Sequence, residues 1–571
     1  MKMGDLIVKN GLVFDPLNGV DGERKDIMIS GGKVVEDLDE RGAKVIDASG
    51  MMVMPGGVDL HSHIAGSKIN IGRMMRPEDH RKDVVPRTRL TRAGTGYSCP
   101  STFVTGYRYA QMGYTSVMEA ALPPLGARHV HEELNDTPIF DKAAFPLFGN
   151  NHFTLKYVRE GDMKMLKAFI AWLLRTTRGY AVKIVNPGGV ENWKWGRNVG
   201  GLDDLVDNFE VSPRQIVTSL ARANEELGLP HTIHLHCNNL GVPGNYETTI
   251  ETMDAVKGIK PRDGRTTTIH VVHCQFNALD GDNWMNVKSG ASKIAKYVNA
   301  NPHVTLDMGQ VIFTNTTTMT GDGPWQFRLW NLTGNKWVNS DVEMEAGAGV
   351  VPYTFREDNP ANAIQWAIGL ELALLIYDPW RVYMTTDHPN GGPFIFYPKV
   401  ITWLMSRKAR TDTMLKINKA CMRRTTLANI YREYSFGEIA TVTRAATAKV
   451  LGLKHKGHLG LGADGDVSIY DINPTTWRPS MYEEVERAFA RAAYTVKGGE
   501  VVVKDGEVVA TPQGTTLWVD AKVPEDAESE LMKDLEAEFK NYYTVGLNNY
   551  PVQDAYLPFQ RPVAVDGRRG W

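Results

Sequence analysis

Cysteine is scarce: four residues in 571, at Cys99, Cys237, Cys274 and Cys421. None belongs to a C-x-x-C pair of the kind that holds zinc or an iron–sulfur cluster, and the usage fits a reducing, cytoplasmic compartment. Long apolar runs are missing too, since none approaches the ~18 residues that would cross a bilayer. The opening MKMGDLIVKNGLVFDP lacks the charged-then-apolar layout of a signal peptide, so a soluble, unprocessed chain is expected. Excess positive charge is also absent, with 64 Lys and Arg against 66 Asp and Glu. A phosphate backbone demands such an excess, so no nucleic-acid partner is expected.

What is present is length and alternation. A chain of 571 residues exceeds one ordinary core, which points to a large domain with at least one satellite. Residues 1–55 carry short β-rich pieces split by turn signals, and the same texture returns after about residue 456, where K-D-G-E joins two alternating strands. Both ends are therefore expected to build one small β-sandwich, from residues 1–55 and 451–520, followed by a C-terminal helix and tail over 521–571. Between them, residues 56–450 alternate apolar strand-like runs with helical patterns such as MKMLKAFIAWLLRTT and PRQIVTSLARANEEL. Eight runs qualify as strands: VMPGGVDLHSHI, YTSVMEAAL, AFPLFGNN, YAVKIVNPGG, HTIHLHCNN, TTIHVVHCQF, HVTLDMGQV and RVYMTTDHP. The expected fold class is α/β, a (β/α)₈ barrel. Residues 64–113 and 311–358 lack periodicity and read as functional loops over one end.

In such barrels reactive groups sit where the strands stop, and metal-ligand residue types cluster there. His61 and His63, in GGVDLHSH, share one strand face and can address one ion. Lys183 follows on the fourth run, then His236, His273 and Asp387 on the fifth, sixth and eighth. Alternation leaves competitors at three places: His234 shares a face with His236, His270 and His273 fall on opposite faces, and Asp307 competes with Asp387. Rim position favours His236 and His273. A protonated lysine has no lone pair for a cation, but Lys183 carboxylated by carbon dioxide becomes an anion able to bridge two ions. With two divalent ions bringing four positive charges, that carbamate and Asp387 remove two of them. Asn238, Asn239, Arg73 and Arg76, near the same rim, read first as loop-stabilising residues.

These residues resemble the amidohydrolase superfamily, in the branch with two metals and a carboxylated lysine that includes dihydropyrimidinases. The resemblance rests on G-G-V-D-L-H-S-H after an N-terminal β segment, the strand lysine, the two later histidines, the last-strand aspartate, and GADGDVSIYD. The stretches DLHSHIAGSKINIGRMMRPEDHR, VKIVNPGGVENWKWG and TTDHPNGGPFIFYP look like the A subunits of formylmethanofuran dehydrogenases from methanogenic archaea. The related alpha subunits of bacterial formyltransferase/hydrolase complexes are the nearest alternative. The resemblance implies two zinc ions held by His61, His63, Lys183, His236, His273 and Asp387, with Asp387 also moving protons in catalysis. It further implies condensation of formate with the methanofuran amine in the CO2-reducing step of methanogenesis. The implied partners are iron–sulfur subunits and one that carries a molybdenum or tungsten pterin. A cyclic-amide hydrolase fits the ligand set equally, whereas intact ligands speak against a non-enzymatic assembly protein.

Overall fold

The computed structural model describes residues 4–262, 264–340 and 348–571. All eight predicted runs overlap strands, the third only through residues 144–146: β1 (Gly57–Ser62), β2 (Tyr114–Leu122), β3 (Asp141–Pro146), β4 (Lys183–Val185), β5 (Ile233–His236), β6 (Ile269–Val271), β7 (Val304–Asp307) and β8 (Val382–Tyr383). β1 to β3 form one parallel ladder and β4 to β8 another, each in chain order. Isolated parallel bridges stand at both seams, Leu147 to Lys183 and Ser62 to His388. Every residue of these strands is buried, as expected where helices cover one face of a parallel sheet and packed side chains fill the other.

The crossover helices obey local chemistry. Helix α1 (Met163–Thr177) starts at Asp162, whose carboxylate accepts the Met165 N–H at 2.9 Å. Helix α2 (Pro213–Leu227) opens with a Ser212–Gln215 capping box and Pro213 in its first turn, and stops at Gly228 with φ +70°. The residues 64–113 and 311–358 are more ordered than their sequences suggest. The first holds helices Ser67–Met75 and Thr102–Gln111. The second holds the strand Asn315–Thr318 and helix α3 (Gly323–Thr333), with the strand Ala348–Thr354 returning beside them. Part of that second stretch, 341–347, lies outside the described residues.

Strands from both chain ends join in one nine-stranded sheet, where Met52–Pro55 pairs antiparallel with Val467–Tyr470. The K-D-G-E turn is there, with Asp505 and Gly506 at φ +51° and +74°, the pairing that suits a two-residue hairpin loop. Strand Thr516–Lys522 leaves this sheet. It runs parallel to Gln560–Asp566 and reaches β3 at Lys142, so the boundary expected at residue 520 falls inside a strand that belongs with the central sheet. Helix α4 (Glu525–Tyr542) occupies the predicted C-terminal helix.

Candidate metal centre

The ends of β1, β5, β6 and β8 bring five of the six predicted residues into mutual contact. His61 Nε2 lies 2.9 Å and His63 Nε2 3.3 Å from Asp387 Oδ1, and His273 Nε2 lies 4.0 Å from Asp387 Oδ2. The rings of His236 and His273 meet edge to face at 4.7 Å, and those of His61 and His273 at 5.5 Å. Lys183 is buried on β4, level with His234 on β5. Burial draws its amine down to about 7, against the fields of Asp387 and Asp307. An amine so placed is far less protonated near neutral pH than an exposed lysine, and its proton-free form is the one that reacts with carbon dioxide.

Local backbone aims these groups. His273 lies two residues beyond β6 with φ +35°, and Asp387 beyond β8 with φ +53°, both left-handed conformations uncommon outside glycine. The turn at His273 corrects the alternation expected from sequence. His270 and His273 both point inward, because the strand ends between them. His234 and His236 both face inward as alternation requires, and depth separates them: His236 Nε2 bonds Asp322 Oδ2 at 3.0 Å, whereas His234 Nε2 lies 2.8 Å behind His61 Nδ1. Asp307 sits behind the cluster, accepting the His273 N–H at 2.7 Å and bonding His270 Nε2 at 3.1 Å.

Several supporting residues escaped the sequence reading. Glu119, on β2, accepts the Ile64 and Ala65 N–H groups at 2.6 and 2.9 Å and approaches His63 Nδ1 at 3.4 Å. Asp322 caps α3 through Trp325 N and also receives Asn186 Nδ2 at 3.0 Å, so a helix start from a distant loop orients His236. Lys68 Nζ is buried without a hydrogen-bond partner among the described residues, and the charges nearest in effect are Glu119 and Asp387. Their sequence signal is weak, since a lone Glu, Asp or Lys at those positions has many ordinary explanations. By contrast, Asn238 and Asn239 bond neighbouring loops, as do Arg73 and Arg76.

The donor set suits cations. His61 Nε2, His236 Nδ1, His273 Nδ1 and both Asp387 carboxylate oxygens are buried with no hydrogen-bond partner among the described residues. His61 Nε2 and Asp387 Oδ1 are at contact distance yet make no hydrogen bond. Burial pulls His61 down to about 4, while the imidazoles of His273 and His61 overcome burial to hold Asp387 well below the carboxylate range. Uncharged imidazoles and an ionised carboxylate facing one space form a ligand set that a metal ion satisfies. Away from these histidines, the acidic group Asp141, Asp464 and Asp466 also has ligand spacing, but the Lys456 ammonium fills it, 2.8 Å from Asp464 and 2.6 Å from Asp466.

Residues 44–503 match the sequence profile of the amidohydrolase family. The chain belongs to that family. It is 53% identical over 567 residues to Protein FwdA of Methanocaldococcus jannaschii, covering 98% of this chain and 99% of that protein. It is 38% identical over 559 residues to the A component of the formyltransferase/hydrolase complex Fhc of Methylorubrum extorquens, covering 96% and 97%. The crystal structure of that organism's formyltransferase/hydrolase complex with methylofuran contains a chain that superposes with a TM-score of 0.89 at 36% identity. The match spans 98% of this chain and 100% of that one. These relatives bear out the resemblance to formylmethanofuran dehydrogenase A subunits read from the loop sequences.

Proposed function

We propose that this amidohydrolase is the formyl-transferring subunit of a formylmethanofuran dehydrogenase complex, joining formate to the methanofuran amine and, in reverse, hydrolysing the formamide. The observation that carries the reading is the convergence of buried lone pairs, unpartnered among the described residues, on His61, His236, His273 and Asp387, in a chain 38% identical to a subunit of a formyltransferase/hydrolase complex. The two parallel ladders, bridged at both seams, read as a closed (β/α)₈ barrel, and the nine-stranded sheet from both ends as its β-sandwich satellite. In this reading His61, His63 and Asp387 would hold one zinc and His236 and His273 a second, with carboxylated Lys183 completing the ligand set. When bound, the ions polarise the formyl oxygen and lower the pKa of water, stabilising charge that develops in acyl transfer.

The chain's own groups supply the rest. Asp387, ionised and buried, takes the proton from the attacking amine and returns it to the departing oxygen. The unpartnered Lys68 ammonium provides positive charge for the formate carboxylate. A cavity of about 340 Å³, lined by Trp325, Phe276, Phe355, Thr320 and Asn390, opens beside the Asp322 and Asp387 segments and suits a ring-bearing amine. The molybdenum or tungsten pterin and the iron–sulfur clusters sit on partner subunits.

The purified complex, given formylmethanofuran, dihydrouracil and hydantoin in parallel, distinguishes the readings. Formate release from the first substrate alone is expected. Ring opening of either cyclic amide without formate release would overturn the assignment in favour of a cyclic-amide hydrolase. The 38% identical bacterial relative favours a formate-releasing direction as a second reading, which the same assay run from formate and methanofuran decides.

A further inference from the structure

The stretch 64–113 supplies Lys68 to the metal space, but its middle part is turned away from that chemistry. Residues 85–94 fold back on themselves. Val85 and Gly94 exchange both backbone hydrogen bonds, at 2.8 and 3.0 Å, and Thr88 N–H closes the tip on the Thr91 carbonyl at 2.9 Å. Thr88 Oγ1 also accepts the Leu90 and Thr91 N–H groups, at 3.1 and 2.9 Å. The base of this arm is fastened to the helix Thr102–Gln111. There the Tyr107 hydroxyl accepts Arg92 N–H at 3.1 Å, Arg108 Nε donates to Asp83 at 2.9 Å, and Val85 packs beside Tyr107 and Val502. Beyond the base, residues 86–90 all stand in solvent, Leu90 being 50% exposed, and Val84 at the foot is 57% exposed.

The charge of the arm is one-sided. Arg81, Lys82, Arg87, Arg89 and Arg92 stand against the single Asp83, in a chain whose formal net charge is −2. Arg92 pairs with Asp136 at 3.0 Å, Lys82 lies 4.7 Å from the centre of the Tyr97 ring, and Arg108 takes Asp83. Arg81, Arg87 and Arg89 are left with no ion pair among the described residues. Exposed arginines and exposed leucines are each ordinary on their own. A tip that is ordered at an entropic cost, buries little of its own chain and presents both kinds of side chain is shaped for something outside it. The surroundings say what. Beside the base, Glu132, Glu133 and Asp136 line an open pocket with His129 and Asn135. Those carboxylates repel a phosphate backbone or an anionic bilayer laid across this face, and the tip has no aromatic ring on which a base could stack. A protein surface can set carboxylates opposite Arg87 and Arg89 and an apolar notch opposite Leu90.

We propose that the arm of residues 85–94 is a docking element for a different subunit, whose matching surface is an acidic patch around an apolar notch. The inference rests on the reading of this chain as one subunit of a complex and adds the surface by which a partner is held. The arginine forks orient and speed the encounter, and Leu90 supplies the contact that loses its water.

The test uses the purified complex carrying the photo-crosslinker p-benzoylphenylalanine in place of Leu90. Irradiation should join this chain to a different subunit, within a segment rich in Asp and Glu. An adduct to a second copy of this chain, to nucleic acid or to lipid, a segment without excess acid, or no intermolecular adduct would each overturn the proposal. Charge reversal gives a second readout. Arg87→Glu combined with Arg89→Glu should raise the dissociation constant of this chain from the rest of the complex ~10- to 100-fold, measured by mass photometry over a dilution series, with metal content per chain unchanged. The paired Arg→Lys variant should fall between that variant and wild type, since lysine keeps the charge and loses the fork. Undiminished assembly of the Glu variant would overturn the docking role and leave the proposed function standing, whereas a wild-type chain that purifies with no partner would count against both.

Discussion

Asp387 combines a left-handed backbone, two unpartnered carboxylate oxygens and contact with three candidate imidazoles. Replacing one oxygen by an amide keeps the shape but removes the proton acceptor. Asp387→Asn should lower turnover ~10²- to 10⁴-fold with most of the metal retained, as checked by kcat beside metal content per chain. A different buried charge governs pH dependence. Lys142 on β3 donates to the Thr137 carbonyl at 2.6 Å, and burial draws its amine from 10.5 down to about 7. The folded state therefore binds fewer protons than the unfolded chain between about pH 7 and 10.5, so this group makes stability rise with pH across that window. The slope it contributes is at most ~1.4 kcal/mol per pH unit. Lys142→Met should flatten the rise and raise the urea midpoint at pH 7, whereas an unchanged profile would mean that the ammonium is compensated in the folded protein.

The turn after β8 shows how an element's geometry holds Asp387, the proposed proton carrier. A Cβ on Gly391 would sit 2.6 Å from the Thr386 carbonyl oxygen and 2.9 Å from those of Gln310 and Gly309, all backbone atoms unable to move independently. Gly391→Ala must open the turn that carries Asp387, and a displacement near 1 Å at a reacting group costs ~10²-fold in rate. Loss of activity on that scale together with lowered metal content is expected, set against Gly258→Ala, where a Cβ meets nothing within 4 Å. Element identity was largely legible in sequence. All eight strand runs, α1, α2 and α4 follow from periodicity, caps and turn residues, which are local signals. What stayed illegible was long-range. Alternation could not rank His234 against His236, because Asp322, which bonds His236 and not His234, arrives from 86 residues away. The loops over the rim looked irregular because their helices are short, Gly- and Pro-punctuated, and stabilised by packing rather than by pattern.

At the scale of the whole molecule, one buried charge network ties the nine-stranded sheet to the central fold. Lys456 pairs with Asp141 of β3, Asp464 and Asp466, while Lys33 and Arg561 add the N-terminal and C-terminal segments through Asp464. Removing one partner strands the others in a dry interior, so Lys456→Met should cost ~3–5 kcal/mol, seen as a lowered denaturation midpoint. The exposed pair Arg356–Asp358, broken by Arg356→Met, should cost at most ~1 kcal/mol. Sequence scattered these charges over more than 500 residues, and only the fold shows that they meet. The same holds for the candidate metal centre, where His61 and Asp387 lie 326 positions apart in the chain and in contact in space. Zinc-edge anomalous diffraction from crystals of the purified protein tests that centre most directly. Two ions are predicted, one among His61, His63 and Asp387 and the other at His236 and His273, with a carboxylated Lys183 joining them. A single ion, an ion elsewhere, or an unmodified Lys183 pointing away from the metals would contradict the account.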